Sequence, residues 1–86
     1  MANDTEINKA EIEIMEGRID DLKKEIKKCN KRIRINNETI VDCRKRKDNN
    51  KIDEIREENC KLRNRVDTDN GMIRDYEEMI AVLNHD

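Results

Sequence analysis

The sequence predicts an all-α protein, a long antiparallel two-helix coiled-coil hairpin that forms a single domain over residues 1–86. Apolar residues recur at alternating spacings of three and four through most of the chain, and this repeat slips by two residues once, near the middle. The chain contains no proline and only two glycines, which favours long helices. With 47% charged residues, one tyrosine and no tryptophan or phenylalanine, it can bury an apolar stripe but not a thick globular core.

The first helix is predicted over about residues 4–46. Asn3, followed three residues later by Glu6, has the form of a capping box at the helix N-terminus. Beyond it, apolar residues fill the a and d positions of a heptad repeat, through which a coiled-coil helix contacts its partner. The a positions are Ile12, Ile19, Ile26, Ile33 and Ile40, and the d positions are Met15, Leu22, Cys29, Asn36 and Cys43. Five isoleucines in one phase indicate a continuous seam.

The bend is predicted at residues 47–50. Lys47 and Asn50 stand where the next seam positions would fall, and the apolar pattern resumes two residues out of phase at Ile52. Such a slip turns the stripe by about 200° on a helix with ~3.6 residues per turn, so one straight helix would carry its two seams on opposite sides. Asp48, Asn49 and Asn50 are turn-forming residues; asparagine can enter the left-handed region, and Asn50 can cap the next helix.

The second helix is predicted over about residues 51–84. Its a positions are Ile52, Asn59, Val66, Ile73 and Ile80, and its d positions are Ile55, Leu62, Asp69, Tyr76 and Leu83. Residues 67–71 are a candidate kink because glycine costs ~1 kcal/mol inside a helix, but the heptad phase continues across them and favours an unbroken helix.

Antiparallel packing of the two seams places residues opposite each other when their numbers sum to 95. Asn36 then meets Asn59, where two buried amides can satisfy each other and fix the register. Asp69 is expected to fit poorly opposite Ile26. The flanking charges do not select this pairing, because Arg32 is predicted to face another arginine, and a parallel dimer in register scores no better.

The sequence shows no catalytic, cofactor or metal site. Asp67, Asp69 and Glu78 follow part of the pattern of a calcium loop, but Gly71 stands at the fifth position instead of the sixth. His85 has no nucleophile near it in the sequence, and paired carboxylates need a concave pocket that a two-helix rod is not expected to have. We therefore expect a protein that is not an enzyme and needs no cofactor.

The cysteines and the hydropathy indicate a soluble cytoplasmic protein that does not enter a membrane. Cys29 and Cys43 fall in the seam and Cys60 falls outside it; their spacings of 14 and 17 residues match no zinc or redox motif, so reduced thiols are expected. No basic segment followed by an apolar run opens the chain, and no stretch approaches the ~20 apolar residues that cross a bilayer.

Charge is distributed unevenly along the predicted hairpin. Residues 23–66, the bend half, carry 16 basic and 8 acidic side chains, whereas residues 1–22 and 67–86, here called the open end, carry 3 basic and 13 acidic ones. The basic bend is a candidate nucleic-acid-binding site, formed by Arg44, Lys45, Arg46, Lys47 and Lys51. Alternatively, the acidic open end imitates nucleic acid and inhibits a nucleic-acid-binding enzyme.

Apolar residues outside the seam predict a contact face near the open end. They are Ile7, Ile14, Met72, Met79 and Val82, here called the open-end strip. The c and g positions of both helices share one face of an antiparallel hairpin, on which Ile14 and Val82 come level. A two-helix rod has no need of these exposed side chains, so they are predicted to bind protein. Through them two hairpins can form a homo-oligomer, a four-helix bundle, or one hairpin can hold a partner protein.

These observations favour a non-enzymatic coiled-coil protein-binding module whose protein partner is unidentified. Nucleic-acid binding through the bend is the alternative. The abundance of asparagine, isoleucine and lysine is typical of low-GC bacteria, their phages and some viruses, which favours a small phage or viral adaptor or inhibitor acting in the host cytoplasm.

Overall fold

Two long helices form the protein, and they pack against each other as an antiparallel hairpin. The computed structural model describes the backbone of residues 3–85 and the side chains of residues 6–85. Helix α1 spans Asn3–Lys45 and helix α2 spans Asn49–Asn84. The hairpin measures 69 × 14 × 13 Å, so it is one helix pair thick. The predicted all-α hairpin is confirmed; the predicted capping box involves Asn3, whose side chain lies outside the described residues.

The seam between the helices is the one that the heptad pattern predicts. Every predicted a and d side chain is buried or half-buried. The most deeply buried part is a cluster next to the bend, formed by Ile40, Cys43, Ile52 and Ile55. At the open end, by contrast, Ile12, Ile80 and Leu83 are only half-buried. Because burying an isoleucine or leucine contributes about 1.5–3 kcal/mol, the bend end of the seam is the more stable one.

The bend is shorter than predicted and begins earlier, since residues 46–48 connect the helices instead of residues 47–50. The Asp48 N–H donates to the Cys43 carbonyl at 3.0 Å, and the Lys47 N–H donates to the Arg44 carbonyl at 3.1 Å. These two bonds form a Schellman motif, which ends a helix by placing one residue in the left-handed region. Lys47 takes that conformation, with φ of 58°, in a place that usually favours glycine or asparagine.

Asp48, and not Asn50, caps α2. Its side-chain Oδ1 accepts a hydrogen bond from the Lys51 N–H at 3.2 Å, and its carbonyl accepts the first helical bond, from the Ile52 N–H, also at 3.2 Å. Asn49 and Asn50 are already helical. The prediction assigned the turn to Asp48, Asn49 and Asn50 by residue preference, whereas the Schellman hydrogen bonds end α1 at Lys45 and place the left-handed residue at Lys47.

Two asparagines meet inside the seam, as predicted. Asn36 and Asn59 are both buried, and the Asn36 Nδ2 donates to the Asn59 Oδ1 at 2.9 Å. The Asn59 Nδ2 in turn donates to the Oδ1 of the exposed Asn37 at 3.1 Å. This chain of amides satisfies the hydrogen-bonding groups of both buried side chains. It also fixes the register in which the numbers of opposite residues sum to 95.

Asp69 is the misfit in the seam. Helix α2 runs through residues 67–71 without interruption, so Asp69 is held inside, 4% exposed, and its Oδ2 has no hydrogen-bond partner. Burial raises the pKa of this carboxyl from its ordinary 3.8, and the nearby Glu25 carboxylate raises it further, while Arg65 opposes the shift. The ionised Asp69 therefore destabilises the folded protein at neutral pH.

The charges that flank the seam pair in a register other than the predicted one. The Arg32 Nε donates to the Glu58 Oε1 at 2.8 Å, and Arg65 pairs with Glu25. Arg32 thus faces a carboxylate instead of Arg65, and it lowers the pKa of Glu58. In both pairs the residue numbers sum to 90, which corresponds to about 7 Å of offset along the rod. The long arginine side chain spans this offset to reach the opposite charge.

Candidate protein-binding groove

The open-end strip is exposed along its whole length. Its five apolar side chains are between 42% and 69% accessible, although helices of this length offer ample buried positions. Three of them, Ile14, Met79 and Val82, lie around one open groove of about 760 Å³ between α1 and α2. Ile7 and Met72 lie outside it. Ile7 is one heptad from Ile14 toward the open end, and Met72 is one heptad from Met79 toward the bend.

The floor of this groove is the edge of the seam itself. Met15, Tyr76 and Leu83 line it from below, so that the apolar surface continues from the core to the exposed strip. The g edge of the hairpin is open here because Met79 occupies a g position. Nearer the bend, the g positions hold Arg32 and Glu58, which bridge the two helices. A methionine side chain adapts its shape to different neighbours, which suits a surface that receives another chain.

A tyrosine and an arginine define one end of the groove. The Arg18 Nη1 donates to the Tyr76 hydroxyl at 3.2 Å, and the guanidinium carbon lies 6.0 Å from the centre of the ring. The hydrogen bond raises the pKa of Arg18. This contact orients the phenol toward the surface, and it was not predicted from the sequence, which placed Tyr76 only as a seam residue.

The rim of the groove is acidic. Glu11, Asp75 and Glu78 are among the lining residues, and Arg18 is the one basic side chain among them. The three carboxylates outnumber the single guanidinium, so the potential around the apolar floor is negative. The arrangement suits a segment that presents apolar side chains with lysine or arginine beside them.

The basic residues predicted at the bend do not share one surface. Arg44 and Lys45 end α1, Arg46 and Lys47 lie in the bend, and Lys51 is in the first turn of α2; all five are exposed. Lys51 follows the g edge of the hairpin, whereas Arg44 lies on the opposite e edge. There Arg44 is joined by Arg56 and Arg63, which the sequence analysis did not single out although both occupy e positions.

Cys29 and Cys43 are buried and Cys60 is exposed, as their heptad positions predict, and all three are free thiols. Among the side chains of residues 6–85, no group of three or more histidine, cysteine or acidic residues is placed to hold a metal ion. Neither described helix contains a stretch of the length and apolarity required to cross a membrane.

Comparison with known proteins leaves the groove to be interpreted from its own geometry and charge, since no protein-family model, curated protein or solved structure matches the chain.

Proposed function

We propose that the hairpin is a non-enzymatic protein-binding module that holds an amphipathic helix of a partner protein against the open-end strip. The observation that carries the proposal is the groove lined by Ile14, Met79 and Val82, which has an apolar floor and an acidic rim. A helix laid in such a groove inserts apolar side chains spaced three and four residues apart. The cytoplasmic setting and a role as a phage or viral adaptor or inhibitor belong to the same proposal and rest on composition alone.

The strip by itself supplies limited binding energy. Covering a half-exposed isoleucine, methionine or valine contributes about 1 kcal/mol at ~25 cal/mol per Å², so five such residues give roughly 5 kcal/mol. Association costs at least about 4 kcal/mol in lost freedom of motion. Tight binding therefore requires the charges on the rim, and a partner with basic residues beside its apolar face provides their complement.

The same charges disfavour a second copy of this chain as the occupant. A symmetric pair of hairpins joined through the strip brings together two open ends, each with 13 acidic and 3 basic side chains. Like charges repel at close range, and added salt weakens that repulsion. A homodimer should therefore strengthen with salt, whereas a complex with a basic helix should weaken.

A pair of variants tests the proposal. Ile14→Glu with Met79→Glu places two carboxylates in the groove, while Ile35→Glu with Val41→Glu makes the same change at two exposed apolar residues outside it. All four positions lie outside the seam, so circular dichroism should report unchanged helix content in both variants. The probe is a fluorescent amphipathic helical peptide whose apolar face is flanked by lysine, compared with the same peptide flanked by glutamate.

Fluorescence anisotropy should show the lysine-flanked peptide binding the wild type at least tenfold more tightly than the glutamate-flanked one, with affinity falling as salt rises. The groove variant should lose this binding and the control variant should keep it. Equal binding by both variants would contradict the proposed site. A wild-type dimer in light scattering that only the groove variant converts to a monomer would instead identify a second hairpin as the occupant.

A further inference from the structure

The arginines on the two edges of the hairpin differ in whether they form ion pairs. On the g edge, Arg32 and Arg65 are neutralised by Glu58 and Glu25 across the seam. On the e edge, the described residues place no carboxylate oxygen within 4.0 Å of Arg44, Arg56 or Arg63. Three exposed guanidinium groups on one edge therefore keep their full charge and their hydrogen-bond donors free.

These three arginines line a second groove, of about 550 Å³, that contains no acidic side chain. Arg44 comes from α1 and the other two from α2. At ~1.5 Å per residue, Arg63 stands about 10 Å from Arg56 along the rod, and Arg44 stands about 7 Å from Arg56 on the side of the bend. Asn37 adds a neutral donor, because its Oδ1 accepts from the buried Asn59 and its NH₂ group remains available.

A basic track continues from this arginine groove toward the open end. The same face of the hairpin consists of e and b positions, and farther along α1 these are occupied by Lys23, Lys27 and Arg34, all exposed. Over that length the acidic residues on this face are Asp53, three residues before Arg56, and Asp67, four residues after Arg63. The positive charge is thus arranged as a line along a straight rod and not as a single patch.

We propose that the arginine groove binds the phosphate backbone of a nucleic acid without selecting its sequence. The planar guanidinium presents paired N–H donors that match the oxygens of a phosphate, and a ligand with one charge per nucleotide follows a line of such groups. No aromatic side chain lines the groove, so bases have nothing to stack on. An acidic peptide fits less well, because Ile40 and Val41 offer little of the apolar surface that peptide recognition uses.

This site differs from both sites considered above. It replaces the bend as the nucleic-acid surface, since Lys45, Arg46, Lys47 and Lys51 do not line it. It lies on the e edge, whereas the open-end strip occupies c and g positions, so occupation of one surface leaves the other accessible. The failure of one proposal is therefore distinguishable from the failure of the other.

Three double variants with the same loss of charge test the inference. Arg56→Gln with Arg63→Gln removes two groove arginines. Lys24→Gln with Lys31→Gln removes two exposed charges on the outer side of α1, and a bend variant changes Lys45 and Lys47 to glutamine. Binding of a fluorescein-labelled 20-nucleotide strand, alone and as a duplex, is followed by anisotropy between 50 and 300 mM salt.

The groove variant should bind the single strand at least tenfold more weakly, and the slope of log K against log salt should shrink by about 1.4, since each lost phosphate contact contributes ~0.7. The other two variants should stay within about threefold of the wild type. Equal losses in all three, a loss confined to the bend variant, or no wild-type binding to either oligonucleotide at 50 mM salt would each overturn the inference. Displacement of the strand by polyglutamate at equal charge would reassign the groove to an acidic protein.

Cys60 provides a readout that needs no substitution. It is exposed at a b position, four residues after Arg56 and three before Arg63, so it lies beside them on the same helix face, while the other two cysteines are buried. Saturating oligonucleotide should slow alkylation of this thiol by a neutral maleimide at least fivefold. An unchanged alkylation rate on a saturated protein would place the nucleic acid elsewhere and refute the assignment.

Discussion

The pair of buried amides provides the sharpest test of how the hairpin is specified. Asn36 and Asn59 are 5% and 2% exposed and are joined by a 2.9 Å hydrogen bond. Changing either one to isoleucine leaves the other amide short of a partner, at a cost of about 1–3 kcal/mol. The new isoleucine contributes about 1.5–3 kcal/mol of apolar burial. Each single substitution should therefore lie within about 1 kcal/mol of the wild type.

The double variant separates these two effects. With both amides replaced, no buried polar group is left unpaired, and two isoleucines are gained for two lost hydrogen bonds worth ~1 kcal/mol each, the one between the amides and the one from Asn59 to Asn37. The free energy of unfolding should rise by about 1–4 kcal/mol, with a coupling energy between the two sites of about 1–3 kcal/mol. Because the amides fix the register, light scattering should also show a less uniform oligomeric state in the double variant.

Urea unfolding followed by circular dichroism at one protein concentration measures the cycle. The control combines Asn36→Ile with Asp69→Ile, two polar seam residues about 15 Å apart along the rod at ~1.5 Å per residue, whose effects should add within about 0.5 kcal/mol. Additivity at the Asn36 and Asn59 pair as well would refute the idea that these amides act as a unit.

Two further substitutions test the bend and the buried carboxyl. Lys47→Gly should raise the free energy of unfolding by about 1 kcal/mol, because glycine adopts the left-handed φ of 58° without a Cβ penalty. The control Arg46→Gly, at a neighbouring bend residue without a positive φ, should lower it. Thermal unfolding measures the sign of each change. Asp69→Leu should raise the free energy of unfolding by about 1–3 kcal/mol at pH 7. Since the folded-state pKa of Asp69 is raised, the native protein holds the proton more tightly than the unfolded chain. The gain in the free energy of unfolding should therefore shrink as pH falls toward 3.8. A gain independent of pH in urea titrations would contradict the buried charge.

The fold was predictable because one physical rule fixes most of it. A heptad repeat identifies the buried stripe of each helix, and the two-residue slip requires the chain to reverse, so the seam residues and the meeting of Asn36 with Asn59 follow. The position of the turn was not predictable in the same way. Residue preference pointed to Asp48 and the two asparagines after it, but the hydrogen bonds that close α1 placed the left-handed residue at Lys47.

The candidate sites were predictable only in part, since they depend on how long side chains leave the seam. The pattern placed Ile14, Met79 and Val82 on one face, where the structure brings them around a groove. It gave no sign that Arg18 would lie over Tyr76. The ion pairs across the g edge were also missed, because pairing each residue with the nearest backbone position ignores the length of the arginine side chain. The difference between these paired arginines and the unpaired arginines of the e edge was missed for the same reason.

The buried cluster next to the bend has a consequence for how the chain folds. The cluster next to the bend joins residues close in sequence, so it closes the shortest loop and loses the least chain entropy. Once it forms, each further pair along the seam extends an existing contact. Folding should therefore proceed as a zipper from the bend, with the low contact order of a fast folder. The last pairs to close, around Leu83, border the groove that we propose binds a partner helix, and local separation of the two helix ends there would admit that helix while the amide pair holds the rest of the hairpin in register.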